Sequence, residues 1–179
     1  MASLLAWWWP AALLDWQPAL AASQPWRAWS AAFVHWSALH LAANLAGAAV
    51  VGALGLAASL PPRMALAWFA SWPLTHAFLL LRPELAHYGG LSGVLHAGVA
   101  VASMWLMVNA RAGRRLIGAA VAGGLLVKIA LEAPWGPALR EGGGWDIAIA
   151  PFAHASGVLA GVLCAVPLLW RLRTEPAKP

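Results

Sequence analysis

Long apolar runs, broken by short polar or proline-rich stops, organise this chain. The runs fall at roughly residues 2–14, 31–60, 64–81, 91–110, 116–133 and 152–170. The stops include Pro61-Pro62-Arg63, Arg82-Pro83-Glu84, Arg111 to Arg115 and Pro134 to Pro151. A helix crossing the hydrocarbon layer takes about 20 apolar residues at about 1.5 Å rise each. The pattern therefore predicts six membrane-spanning helices within a single membrane domain covering residues 1–179. The first run is the poorest, since Ala2 to Leu14 reaches only about 20 Å, Pro10 interrupts it and Asp15 ends it. Ala19-Leu20-Ala21 has the form of a signal-peptidase site, but the first six residues lack the Lys or Arg of a leader's basic region.

Composition sharpens this picture. Of the 179 residues 62% are apolar and only 9% are charged, with thirteen Trp and a mean hydropathy of +0.71. A soluble domain carries roughly 25% charged residues, so lipid must serve as part of the solvent. A soluble globule, a disordered chain and a nucleic-acid module are excluded. The net charge of +5 does not change this, because the basic residues are not interleaved with aromatics as in a phosphate-binding surface. The single cysteine, Cys164, excludes an internal disulfide and a thiolate metal cage. With a cytoplasmic N-terminus, Arg63, Arg111, Arg114, Arg115, Arg171, Arg173 and Lys178 share one side against Arg27, Arg82 and Arg140 on the other. The positive-inside rule then puts both termini in the cytoplasm, as an even number of spans requires.

In so apolar a chain, polar groups within spans are functional-site candidates by default. Counting from the cytoplasmic stops at about 1.5 Å per residue puts Asn44 about 26 Å deep, His40 about 31 Å, Ser92 about 28 Å, and His154 and Glu132 about 26 Å each. Four spans thus bring polar groups into one layer near the outer face. His40 and Asn44 are four residues apart and share a helix face. Ser92 follows Gly89-Gly90-Leu91 at a loop-to-helix junction, where glycine lets a substrate approach the backbone and the first helical N–H groups stay free. His154, Gly157 and Gly161 form one stripe on the last run, and Gly93 with Ala97 forms a matching small stripe after Ser92. Small stripes permit close helix contact in lipid, and such packing would make Ser92 and His154 neighbours. Serine beside histidine is a nucleophile with its general base, the equipment of acyl transfer. His40, Asn44 and the Ser92 backbone N–H could donate to the oxyanion. Glu132 is the only acid within a span and has no obvious place as a third member, so a Ser–His dyad is expected.

These residues resemble the rhomboid family of intramembrane serine proteases. The match comprises Trp26-Arg27 in the first outer loop, His35, His40 and Asn44 on the second span, Gly90-x-Ser92-Gly93 opening the fourth, and His154-x-x-Gly157-x-x-x-Gly161 on the sixth. The resemblance implies an all-α, six-helix polytopic bundle with Ser92 as nucleophile, His154 as base, and His40 and Asn44 as oxyanion-hole donors. It implies a membrane-anchored protein substrate cut in or near its transmembrane segment. It also implies residence in a bacterial inner membrane with the site open to the periplasmic side. No cofactor, metal or nucleic acid is implied. Within the family the chain is most similar to rhombosortases, which process proteins with a Gly-Gly-containing C-terminal membrane tail. That similarity rests on Tyr88-x-Gly90-Leu91-Ser92-Gly93-Val94-Leu95-His96, on Lys128 with Glu132, and on the compact chain. The short first run and Ala97 in place of a second glycine depart from the pattern. The alternatives are a general rhomboid protease, an inactive rhomboid-like binder of membrane segments, and a small transporter using Lys128 and Glu132 as pathway charges.

The remaining polar residues have plainer readings. His96, one turn below Ser92, could tune the site, but an interhelical bond is expected. Lys128 and Glu132, also candidate modulators, read as a pair neutralising each other in lipid. His35 reads as a loop brace, and His76 and His87 lack the spacing of metal ligands. Trp135, Trp145 and Trp170 read as interfacial anchors, as does Trp26-Arg27 beside its place in the family pattern.

Overall fold

The computed structural model describes residues 1–174, those from 171 onward by backbone alone. Of the basic residues used to orient the chain, Lys178 and the side chains of Arg171 and Arg173 lie outside that description. The described residues form helices α1 (Ala2–Ala6), α2 (Arg27–Ser30), α3 (Ala38–Ala57), α4 (Pro62–Ala77), α5 (Ser92–Asn109), α6 (Ala112–Glu132) and α7 (Pro151–Thr174). Short 3-10 turns cover residues 11–13, 18–20, 31–33 and 78–81. There is no strand among them, only isolated antiparallel pairings of Trp16 with Tyr88 and of Arg140 with Ile149.

Four stretches are long and apolar enough to cross a membrane: Ala38–Ala57, Pro62–Leu81, Ser92–Asn109 and Pro151–Trp170. They occupy the second, third, fourth and sixth predicted runs. Helix α6 takes up the fifth and is long enough, with 21 residues, but Arg114 and Arg115 at one end and Lys128 and Glu132 at the other reduce its apolar character.

The first predicted run is not a span. Its helix stops after five residues, about 7.5 Å, because Pro10 has no N–H to donate and drives the residue before it toward extended backbone. Residues 11–36 continue as short turns and the single turn of α2, so the described residues do not show six spans. Helix α1 packs beside residues 31–33, at the end of the bundle where α3 begins. Helix α7 starts at that end and runs to the other, so the two ends of the described chain lie at opposite ends of the bundle rather than on one side.

The second run also begins later than its apolar pattern suggests. Ser37 is an extended N-cap whose Oγ accepts from the His40 N–H at 3.0 Å, which sets the start of α3 and leaves residues 31–33 a separate turn. At α4, by contrast, Pro62 opens the helix where its missing N–H costs nothing.

Helix α5 is the centre of the bundle. Of its span 56% is buried, against 17% for α3, which stands at the margin. Toward one end of α5, Val101 packs with Met64, Ala165 and Leu169; at the other, Leu79, Leu85, Tyr88 and Ala153 close around Trp16. Outward-facing Leu45 and Leu56 on α3, Leu126 and Leu131 on α6, and Leu159 and Leu163 on α7 form an apolar perimeter suited to lipid. Apolar perimeter gives no drive for helices to associate in a bilayer, so close packing must hold α5 against α7. The small stripes meet as expected: a Cβ added at Gly161 would lie 2.6 Å from the Ala97 carbonyl oxygen, and one at Gly157 would fall on the carbonyl of Gly93.

Candidate active site

Helices α3, α5 and α7 all begin at one end of the bundle, and α6 finishes there. This topology collects His40 and Asn44, Ser92, His154 and Glu132 from four helices. Ser92 is the first residue of α5, and the loop before it is tied down from several sides. Tyr88 exchanges two backbone hydrogen bonds with Trp16, at 2.7 and 2.9 Å, and the Gly90 N–H donates to the Ala31 carbonyl at 2.9 Å. Arg82 donates to the carbonyls of Pro134 and Gly136. Gly90 has φ +128°, and a Cβ there would lie 2.7 Å from His40 Nε2. Glycine is required on both counts.

His154 stands one turn above Gly157 on α7 and is 8% exposed. Its Nε2 lies 3.0 Å from Ser92 Oγ, and its Nδ1 lies 2.7 Å from Glu132 Oε2. The other carboxylate oxygen, Oε1, accepts from Lys128 Nζ. The expectation that no carboxylate stands beside the histidine is thereby corrected. Helix α6 ends at Glu132, where Ala133 turns left-handed with φ 45°, and the Glu132 side chain reaches His154 on α7. The expected self-contained Lys128–Glu132 pair is a three-membered array.

The expectation for His96 also changes. Its Nδ1–H donates within α5 to the Ser92 carbonyl at 2.6 Å, and its ring stacks on His154 with centroids 4.3 Å apart and planes 12° apart. The bond is intrahelical because His96 lies four residues after Ser92, where a side chain can reach back one turn.

Across the serine from His154 stand His40 and Asn44, both buried on α3. The Trp36 N–H points to His40 Nδ1 at 3.4 Å, so Nδ1 accepts and the proton resides on Nε2, the nitrogen facing Gly90. Asn44 Nδ2 is buried without a partner among the described residues and faces the same glycine, 3.6 Å from where a Cβ would be. His40 Nε2 and the unpartnered Asn44 Nδ2 thus face the same glycine and line one cavity with Ser92. The His35 ring lies tilted against His40 with centroids 4.9 Å apart, and its Nδ1 braces the loop through the Phe33 carbonyl. Burial lowers its pKa.

These groups line one end of a cavity of about 580 Å³ that continues between α3 and α6 past Gly47, Val50, Val121 and Gly124. The cavity is polar at the serine and apolar below it. The loop between α6 and α7 is tied to its mouth by the Ser37 Oγ–H donating to Asp146 Oδ1 at 2.7 Å. No three His, Cys, Asp or Glu side chains among the described residues are grouped as metal ligands.

Sequence reasoning missed a second polar centre. Asp15 is fully buried, paired with Arg27 at 3.1 Å and with His87 Nδ1 at 2.6 Å. Arg27 also donates to the Ala12 and Asp15 carbonyls, so it is turned inward and is no headgroup anchor, while its neighbour Trp26 is exposed. This cluster clamps the N-terminal turns onto the loop leading to Ser92. Nothing in the spacing of Asp15, Arg27 and His87 signals their meeting.

Comparison with known proteins agrees with the geometry. The family model described as Rhomboid domain matches residues 22–171. No curated protein and no solved structure matches the chain. The match includes all the residues gathered around Ser92 and leaves out only the first turns and the extreme end. The chain belongs to the rhomboid family, intramembrane serine proteases that act on membrane-embedded substrates.

Proposed function

We propose that Ser92 and His154 are the nucleophile and general base of this protease, and that His40 and Asn44 stabilise its oxyanion. The observation that carries the proposal is the 3.0 Å approach of His154 Nε2 to Ser92 Oγ, within the reach a general base needs, opposite two inward-facing donors. As Oγ bonds to the scissile carbonyl carbon, its proton passes to Nε2 and the carbonyl electrons move onto oxygen. His40 Nε2–H, Asn44 Nδ2–H and the Ser92 backbone N–H donate to that oxyanion. Collapse breaks the C–N bond, and His154 returns the proton to the leaving amine. A water deprotonated by His154 then attacks the acyl-enzyme, releasing the carboxyl product and restoring Ser92. The cavity opening toward the α6–α7 loop would supply that water.

The substrate is a membrane-anchored protein whose chain enters the apolar part of the cavity. Similarity to rhombosortases supports a Gly-Gly C-terminal sorting tail as the substrate class. Residence in a bacterial inner membrane, with the site on the outer side, is supported by Arg63, Arg111, Arg114 and Arg115 lying at the end of the bundle opposite Ser92. A serine-directed fluorophosphonate probe tests the core of the proposal: the purified protein is labelled and Ser92→Ala is not. A folded, unlabelled wild type refutes it and favours a non-cutting binder. Co-expression with a Gly-Gly-tailed reporter tests the substrate class, and an uncut reporter beside a cut transmembrane substrate without that tail rejects it.

A further inference from the structure

We infer that Glu132 is a positioning residue for His154, so that the reacting array is Ser92–His154–Glu132 rather than a dyad, with Lys128 holding the far carboxylate oxygen. This rests on the proteolytic reading above and deepens it. Both ring nitrogens of His154 are engaged, Nε2 with Ser92 Oγ at 3.0 Å and Nδ1 with Glu132 Oε2 at 2.7 Å. A carboxylate can only accept at Nδ1, so the imidazole proton is held there and the Nε2 lone pair faces the serine hydroxyl. Once Nε2 takes the serine proton, the same carboxylate faces the imidazolium and stabilises it without becoming protonated.

Glu132 is itself held at three points. Its backbone carbonyl accepts from Arg140 Nη1 at 2.7 Å, Oε1 is taken by Lys128, and Oε2 by His154. A non-glycine residue in the left-handed region, here Ala133, is strained and persists where its surroundings over-determine it. Its effect is to end α6 where the carboxylate meets His154. A Lys–Glu pair serving only to neutralise charge in lipid would be complete within α6, whereas this one places its second oxygen on a neighbouring helix. His96, stacked on the imidazole face, restrains the ring from the side that Glu132 does not reach.

The test is the rate of fluorophosphonate labelling of Ser92 in detergent, with thermal unfolding recorded in parallel. A carboxylate-to-amide change at the orienting position of a Ser-His-Asp triad costs about 10⁴-fold. Glu132 is partly exposed, so Glu132→Gln is expected to slow labelling by about 10²-fold or more at a near-unchanged melting temperature. Glu132→Asp recovers part of the rate. Lys128→Met slows labelling less and adds nothing in the Glu132→Gln background, since it acts through the same carboxylate. Labelling of Glu132→Gln at the wild-type rate overturns the inference. So does a loss that Glu132→Asp does not recover and that follows the loss of thermal stability. An unlabelled wild type instead refutes the protease reading, so the two failures are distinguishable.

Discussion

Gly157→Ala is a one-carbon perturbation whose consequence can be worked from the geometry. The added Cβ would lie 2.7 Å from the carbonyl carbon of Gly93 and fall on its oxygen, where carbon atoms ordinarily approach to about 3.5–4.0 Å. Neither partner can turn away, because the obstruction is backbone on an adjoining helix. Helix α7 must therefore retreat from α5 by at least about 1 Å. His154 sits one turn from Gly157 and moves with it, so the 3.0 Å approach to Ser92 Oγ opens to about 4 Å, beyond hydrogen-bond reach. A misplacement of about 1 Å can cost about 10²-fold in rate, and overpacking costs about 1–3 kcal/mol of stability. Slower fluorophosphonate labelling and a lower melting temperature are both expected. The control is Gly123→Ala on α6, outside the cavity, where an added Cβ meets nothing within 4 Å. There the same change should raise helix stability by up to about 1 kcal/mol. A Gly157→Ala protein with wild-type labelling and melting would refute the claim that this contact sets the distance between Ser92 and His154.

Two further predictions follow from buried polar groups. His40→Ala and Asn44→Ala each remove one proposed oxyanion donor and should lower kcat by about 10²–10³-fold with modest effect on KM, measured on any reporter the wild type cuts. Asp15→Ala leaves the Arg27 guanidinium, 4% exposed, without its carboxylate and should cost about 3–5 kcal/mol, read as a fall in thermal unfolding temperature.

How much of this was legible in the sequence depends on which dimension is asked about. Depth along a helix follows from counting residues, and the count placed His40, Asn44, Ser92, Glu132 and His154 in one layer. Azimuth is what counting does not supply, because it is set by how helices are rotated against one another. At the α5–α7 interface the small stripes of Gly93/Ala97 and Gly157/Gly161 betrayed the rotation, so the nearness of Ser92 and His154 could be anticipated. Helix α6 carries small pairs on several faces at once, Gly118/Ala122, Ala119/Gly123 and Ala120/Gly124, so they single out no one rotation, and the end of the helix at Glu132 depends on Ala133 adopting φ 45°, which an alanine does not advertise. The first run misled for a related reason: apolar composition from Ala2 to Leu14 indicates what the segment can contact, while Pro10 decides whether it can be a helix.

The third member of the array bears on why an acid is present at this depth at all. An ionised carboxylate within a bilayer is expensive unless its oxygens are taken, and here Lys128 and His154 take one each. The partners that make Glu132 tolerable in lipid are thus the ones that would make it useful: Lys128 keeps it charged, and His154 turns that charge toward Ser92. A lysine at that position is otherwise a poor choice, since Lys followed by Glu four residues later is the weaker orientation for a helical pair. The order is explained if the carboxylate must sit at the end of α6, level with His154, and the lysine must reach it from within the membrane.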